Sequence, residues 1–538
     1  MRIQPDRFKP LLRVEFVLIA CVISALLYTP RTWGQTPDTP PDTTQTPSKL
    51  QGTVEIGGQT RDTQGDHPAK FQEVRDVPKG FFIQKLRLDF NSADSPYFLR
   101  VRGFELRERD QRYILDAGRV GIFRTQFIWD EIPHSFGRGQ SFLQRTAPGL
   151  YQVDFNLRAR LQALTTPEAR IPPNSVVSNL IRQELQNAPI TEVRLRRDQA
   201  LFRQSFRPSE NVELYFQFSW LRNRGTRPMS AGTFVRRAVP GFGLTDIGGA
   251  WEGIGQEFLE PIDTRTTDLK VGAQFSGKRW NAGVDYNLSL FRNNIGSVIF
   301  ENPFRITDEQ GCLPNPLNPA APTCGASNRF RMVRWQTDLP PNNDSHTITF
   351  WAKLDLTRRT QVRGLFSLAY WTQNDAFLPW TLNTAIVPRN WDAASPVNNP
   401  TDVNELPARR LNGKMRDINQ EYALVNRRQN FRFQALYRSR SLDSQTRTLN
   451  FPGYAAFGDS TWRAPVTDFY NLPIENLDWD FRRQNVESGF QWDIRPKLTW
   501  KLDYEWEIWN RKEGDVNRNN EHSIRNRLDF AFNLSGGG

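Results

Sequence analysis

Histidine and cysteine are scarce in this 538-residue chain, with four of the first and three of the second. His67, His134, His346 and His522 lie far apart, and no Cys-x-x-Cys-His, His-Glu-x-x-His or Gly-x-Ser-x-Gly pattern occurs. A complete phosphate-binding glycine loop is absent too. Haem attachment, zinc hydrolysis, acyl transfer and nucleotide binding each require one of those arrangements. Acidic residues are plentiful, yet none form a pair set apart from solvated charge. The sequence therefore predicts no catalysis and no metal or cofactor of its own. Long apolar runs are also missing after residue 27, whereas a membrane helix needs about 20 apolar residues.

What is abundant points elsewhere. Mean hydropathy is −0.60, but 12% of the chain is aromatic, with 16 Trp. Trp and Tyr gather at membrane interfaces. A transmembrane barrel also hides its hydrophobicity from averaging, because every second residue faces a polar lumen. The net charge of +12 is spread through strand-like segments rather than gathered in a tail. No nucleic-acid motif accompanies it, so a basic lumen or rim, suited to an acidic partner or anionic solutes, is the better account.

Residues 1–34 read as a secretory signal, with Arg2, Arg7, Lys9 and Arg13 before the apolar run Phe16 to Leu27. Cys21 closes a lipobox-like Leu18-Ile19-Ala20-Cys21, but it also lies inside the apolar run, so lipidation and a plain signal core both remain open. Residues 35–50 form a Pro/Thr-rich lead-in. Removal of the signal would leave Cys312 and Cys324 in a proline-rich segment bound for an oxidising compartment. A disulfide is the natural reading, with two free thiols as the alternative.

From residue 51 onward the pattern has period two. In Asn211 to Trp220, Val212, Leu214, Phe216, Phe218 and Trp220 alternate with Glu213, Tyr215, Gln217 and Ser219. Hairpins repeat the pattern: Leu269 to Phe275 with Trp280 to Leu290, Ile348 to Leu356 with Val362 to Tyr370, and Val486 to Ile494 with Leu498 to Ile508. Such strands run about 9–12 residues, the length that crosses a bilayer when tilted. Short turns alternate with long segments at 223–266, 301–345 and 373–429, as in outer-membrane barrels. A soluble β-sandwich would need fewer long strands with one charged face. The fold class predicted for residues 51–538 is all-β: a large antiparallel transmembrane β-barrel of the cell outer membrane. At roughly 20–25 residues per strand and loop it would hold about 18–22 strands. One short loop helix is predicted at Asn174 to Gln186, where Val176, Leu180, Ile181 and Leu185 share a face.

Charge on a lipid-facing surface costs roughly 2–4 kcal/mol at mid-membrane. Arg100, Arg102, Arg124 and Arg363 alternate against apolar neighbours, so they are expected in the lumen. His134, after Trp129-Asp130-Glu131-Ile132-Pro133, reads as a hydrogen-bonded corner residue rather than a ligand.

Several segments resemble the MtrB/PioB family of decahaem-associated outer-membrane barrels. These are Lys70 to Val74 with Gly80-Phe81-Phe82, Ile132-Pro133-His134, Pro261-Ile262-Asp263, Ser289 to Asn293 and Glu301 to Phe304. They continue through Leu339-Pro340-Pro341-Asn342-Asn343, Gln373 to Thr381, Leu406-Pro407 and Leu411 to Lys414, in the family's order. The resemblance implies a sheath that holds a periplasmic multihaem c-type cytochrome for electron transfer across the outer membrane. Haem would be carried by that partner, and the four arginines become candidate contacts for it. An extracellular cytochrome is left open as a further partner. The chain departs from the family in lacking a Cys-x-x-Cys near the mature N-terminus, and in ending Ser-Gly-Gly-Gly where relatives usually continue for several strands. A porin without a cytochrome partner is the alternative. A plugged receptor is disfavoured, because alternation begins too early to leave room for a plug.

Overall fold

Alternation becomes one antiparallel sheet in the computed structural model. It describes residues 49–531 apart from 66–67, 78, 92–94, 166–173, 238–249, 304–305, 307–332, 384–398, 400, 452–473, 477 and 514. The signal segment, Cys21, the lead-in up to residue 48, His67, Cys312 and Cys324 lie outside the described residues; the last two lead-in residues, Lys49 and Leu50, already begin the first strand.

Sixteen strands form the main sheet in chain order. They are β1 (Lys49–Gln59), β2 (Gly80–Asn91), β3 (Tyr97–Leu106), β4 (Arg112–Arg119), β5 (Phe123–Gln140) and β6 (Ile190–Ser209). Next come β7 (Val212–Arg237), β8 (Ala250–Ser276), β9 (Trp280–Asn293), β10 (Asn343–Asp355) and β11 (Thr360–Gln373). The series closes with β12 (Gly413–Arg427), β13 (Phe431–Ser444), β14 (Phe481–Arg495), β15 (Leu498–Arg511) and β16 (Arg518–Phe530). Among the described residues β1 pairs only with β2, and β16 only with β15. Six shorter strands lie outside this sheet. Among the described residues the barrel sheet thus has 16 strands, fewer than the predicted 18–22, because the long connections take up residues, some of them in short strands of their own.

The predicted hairpins form, with Phe275 opposite Ala282, Leu354 opposite Val362 and Phe490 opposite Leu502. One face collects Leu214, Phe216, Val271, Phe350, Phe433 and Leu502, all of them exposed. An apolar face this extensive suits lipid. Trp280, Phe431, Trp492 and Trp500 bound it near the short turns, and Trp129 stacks on Trp220 at 6.0 Å toward the loops. These are the two interfacial girdles. Short turns such as 210–211, 277–279 and 428–430 share one end of the sheet, the periplasmic side by the rule for such barrels.

The segment 223–266 departs from expectation. It is not a long loop: β7 and β8 stay paired from Val212 opposite Phe275 to Arg237 opposite Ala250. Charge breaks the apolar alternation after Trp220, but the backbone ladder needs no apolar side chains and runs on beyond the membrane band.

Candidate functional site

Register fixes the polar face. Arg100 and Arg102 on β3 share it with Ile114 and Asp116 on β4 and with Arg124 and Gln126 on β5, around a depression of about 310 Å³. Arg124 donates twice to the Asp116 carboxylate, at 2.8 and 3.0 Å. Arg100 lies over the Phe98 ring at 5.6 Å. Neither Arg100 nor Arg102 has an acidic partner among the described residues. Arg203 on β6 extends the patch, 5.6 Å above the Tyr215 ring, with Lys270 at 5.8 Å on the same ring. Arg203 escaped the sequence reading because Leu201 and Phe202 are both apolar and blur the alternation. A bulge between Phe206 and Ser209 also shifts the alternation by one residue, so counting back from the turn before β7 would have placed Arg203 on the wrong face.

Arg363 lies elsewhere. On β11 it donates to Glu421 at 3.2 Å, and Glu421 also faces Arg438, which reaches Glu487 at 2.6 Å. Arg440 with Asp417 and Arg483 with Glu507 repeat this matching. Three of the four predicted arginines thus come together, while Arg363 belongs to a stretch of wall where four arginines pair with carboxylates.

The loop end carries an insert that sequence reading largely missed. Strands 144–147, 150–152, 297–301 and 334–338 make a four-stranded sheet, with 150–152 and 297–301 parallel. Two helices accompany it, α1 (Phe155–Thr165) and α2 (Asn174–Asn187). The second is the predicted helix; α1 has no clean apolar stripe and gave no signal. Trp335, Phe300, Val298, Leu161 and Leu157 form the buried core with Tyr151 and with Phe258 of β8. Phe258 shares the parity of Lys270 and Gly272 on β8, so the insert packs on the inner face of the wall. The Tyr151 hydroxyl donates to the Leu259 carbonyl, and burial pushes that phenol up to about 12. Arg158, buried, meets Glu301 at 2.8 Å and donates to the Asn302 carbonyl at 3.1 Å.

Several quoted motif residues, with Asn294 and Asn383 beside them, prove to be latches for these loops. Asn342 donates its backbone and side-chain amides to Asp375 at 2.7 and 3.2 Å, while its side-chain oxygen Oδ1 accepts from Asn293 N at 2.7 Å. Asn294 N donates to the Asp263 carbonyl at 2.9 Å. Buried Asn383 accepts from Val333 N at 2.8 Å and donates to Arg334 O at 2.9 Å. His134 lies inside β5, opposite Leu195, and not at a strand–loop corner; its contact is with Glu73 of the connection before β2, at 3.5 Å. The Lys70 ammonium, with His134 behind it, holds the Glu73 carboxyl below its usual range. Among the described residues no cluster of three metal-ligating side chains occurs.

A spanning antiparallel sheet with an apolar belt, paired girdles and a charged inner face defines an outer-membrane β-barrel. The chain belongs to the MtrB/PioB family: residues 63–534 match its model, described as "Putative outer membrane beta-barrel porin, MtrB/PioB". Outer membrane protein MtrB of Shewanella baltica (strain OS185) is 25% identical over 107 residues. That stretch spans 20% of this chain and 12% of the length of that relative. Among solved structures, the outer membrane channel DcaP of Acinetobacter baumannii matches at 10% identity and TM-score 0.28, over 86% of this chain and 93% of that one. The ferric-catecholate import receptor Fiu of E. coli K12 matches at 11% identity and TM-score 0.32, over 81% and 64%.

Proposed function

We propose that this barrel is a sheath holding a periplasmic multihaem c-type cytochrome, which carries electrons across the outer membrane. The barrel contributes no haem and no chemistry of its own; all haem is the partner's, and an extracellular cytochrome at the loop end belongs to the same proposal. Family membership supports the reading, and one observation carries it: Arg100, Arg102 and Arg203 gather facing inward without acidic partners, while Arg363, Arg438, Arg440 and Arg483 farther along the sheet are matched by carboxylates. A wall left with unmatched guanidiniums complements an acidic protein surface or haem propionates, which Arg binds in bidentate fashion.

The test is a mild-detergent pull-down of the tagged full-length protein, followed by haem staining and an optical spectrum. A c-type haem protein in near-equal amount supports the sheath. The same inward arginines would suit an anion-selective porin. A folded, haem-free barrel that conducts ions in planar bilayers, from cells expressing periplasmic multihaem cytochromes, would decide for that alternative.

A further inference from the structure

Charge returns to the lipid-facing side of the sheet just beyond the loop-side girdle. The registers leave no freedom here, because side chains on one face recur every second residue. On β7 the outward series Val212, Leu214, Phe216, Phe218, Trp220 continues as Arg222 and Arg224. On β8, Phe275, Ala273, Val271, Leu269 and Thr267 continue as Arg265 and Asp263. On β6, Phe202 and Ala200 are followed by Asp198 and Arg196, and on β5 Trp129 is followed by Glu131.

These groups form one network. Asp198 accepts from Arg196 and Arg224, both at 2.6 Å, and Arg196 reaches Glu131 at 2.6 Å. Arg222 donates twice to Asp263 at 3.0 and 3.1 Å. The carboxylates lie beneath: the Asp198 and Glu131 side chains are 3% and 6% exposed, against 43% for Arg224 and 41% for Arg196. Arg265 is exposed and has no acidic partner among the described residues. The acids thus fix the guanidiniums in place while their free N–H edges point outward. The Glu131 carboxylate also accepts from the Trp129 indole at 3.0 Å, which ties the network to the girdle and sets its height at the headgroups.

We infer that this arginine collar is a docking surface for the phosphorylated headgroup of an outer-leaflet glycolipid of the lipid A type. Three features favour that occupant. The collar lies at the end with the long connections, hence in the outer leaflet. Its exposed groups are guanidiniums, which bind phosphate through two parallel N–H donors. It adjoins an apolar belt that would take the acyl chains of the same molecule. Arg222, Arg224 and Arg265 lie on adjacent strands and would share one phosphate group.

The experiment titrates the purified full-length protein in detergent with bis-phosphorylated lipid A, with dephosphorylated lipid A as the comparison. Binding is read by native mass spectrometry. The Arg222→Gln/Arg224→Gln/Arg265→Gln variant is expected to lose about tenfold or more in affinity, the scale of losing hydrogen bonds to a charged group. Arg265→Gln alone, which breaks no ion pair of the fold, should weaken binding in the same direction. Arg100→Gln/Arg102→Gln, on the other face, should bind normally. Equal binding of phosphorylated and dephosphorylated lipid by the wild type would overturn the inference, and so would unchanged affinity in both the triple variant and Arg265→Gln.

Discussion

Single residues divide into those that hold the loops and those that face the lumen. Arg158 is of the first kind: burial works against its charge, and Glu301 offsets that. Arg158→Met would leave Glu301 without its cationic partner in the insert core, with only the Val153 amide still donating to it, at a cost of about 3–5 kcal/mol. Limited proteolysis should then cut within 141–189 while the strands stay protected; an unchanged digest would show that the pair carries little. Glu108 supplies a pH test at the tight loop between β3 and β4, where Glu105 and Arg107 already hold positive φ. Burial, then a hydrogen bond and repulsion from Asp76, pushes its carboxyl up to about 7 from 4.5. Glu105 and Asp110 shift the same way, burial leading in both. A raised carboxylate binds more protons folded than unfolded, so the loop loses stability as pH rises from about 4.5 to 7 and is flat above. Hydrogen exchange at 107–111 should therefore quicken between pH 5 and pH 7.5 beyond its intrinsic rate. Glu108→Gln should flatten most of that extra change.

At the scale of the strand, parity decides what a substitution costs. Phe216 faces outward in the middle of the β7 belt and its neighbour Gln217 inward. Phe216→Arg should lower the folding free energy in vesicles by roughly 2–4 kcal/mol, whereas Gln217→Arg should stay near neutral. Equal penalties would mean the two faces are wrongly assigned. Close packing on the inner face adds a second test, because Trp351 lies over Gly283 so tightly that a Cβ there would meet the indole at 2.6 Å. Gly283→Val should expel that ring and alter its fluorescence, while the ladder between β9 and β10 persists.

For the molecule as a whole, the unequal distribution of inward charge matters most. Substituting Gln for Arg100, Arg102 and Arg203 together should reduce co-purified haem protein and flatten its salt dependence, since exposed charges are screened within about 8–10 Å at ordinary ionic strength. Arg363→Gln should have the smaller effect, because Glu421 already engages it. An equal loss from both variants would argue against a localised contact.

Sequence alone determined many of the strands, their facing and three of the hairpins, because period-two alternation is a local property that one strand carries by itself. Polar residues interrupt the pattern in β12, so by sequence it reads as part of a long connection. The family's motifs were legible too, but their roles were not. Asn293, Asn342 and Asp375 look like scattered loop residues until the ends of β9, β10 and β11 bring them within hydrogen-bond distance. Tertiary structure alone decided which inward arginines find acids, since that depends on the neighbouring strand and its register. It also decided that residues from 141–189 and 294–342 share one core with Phe258. Pairing across more than a hundred residues leaves no periodic trace in either segment, so only the folded sheet could bring them together.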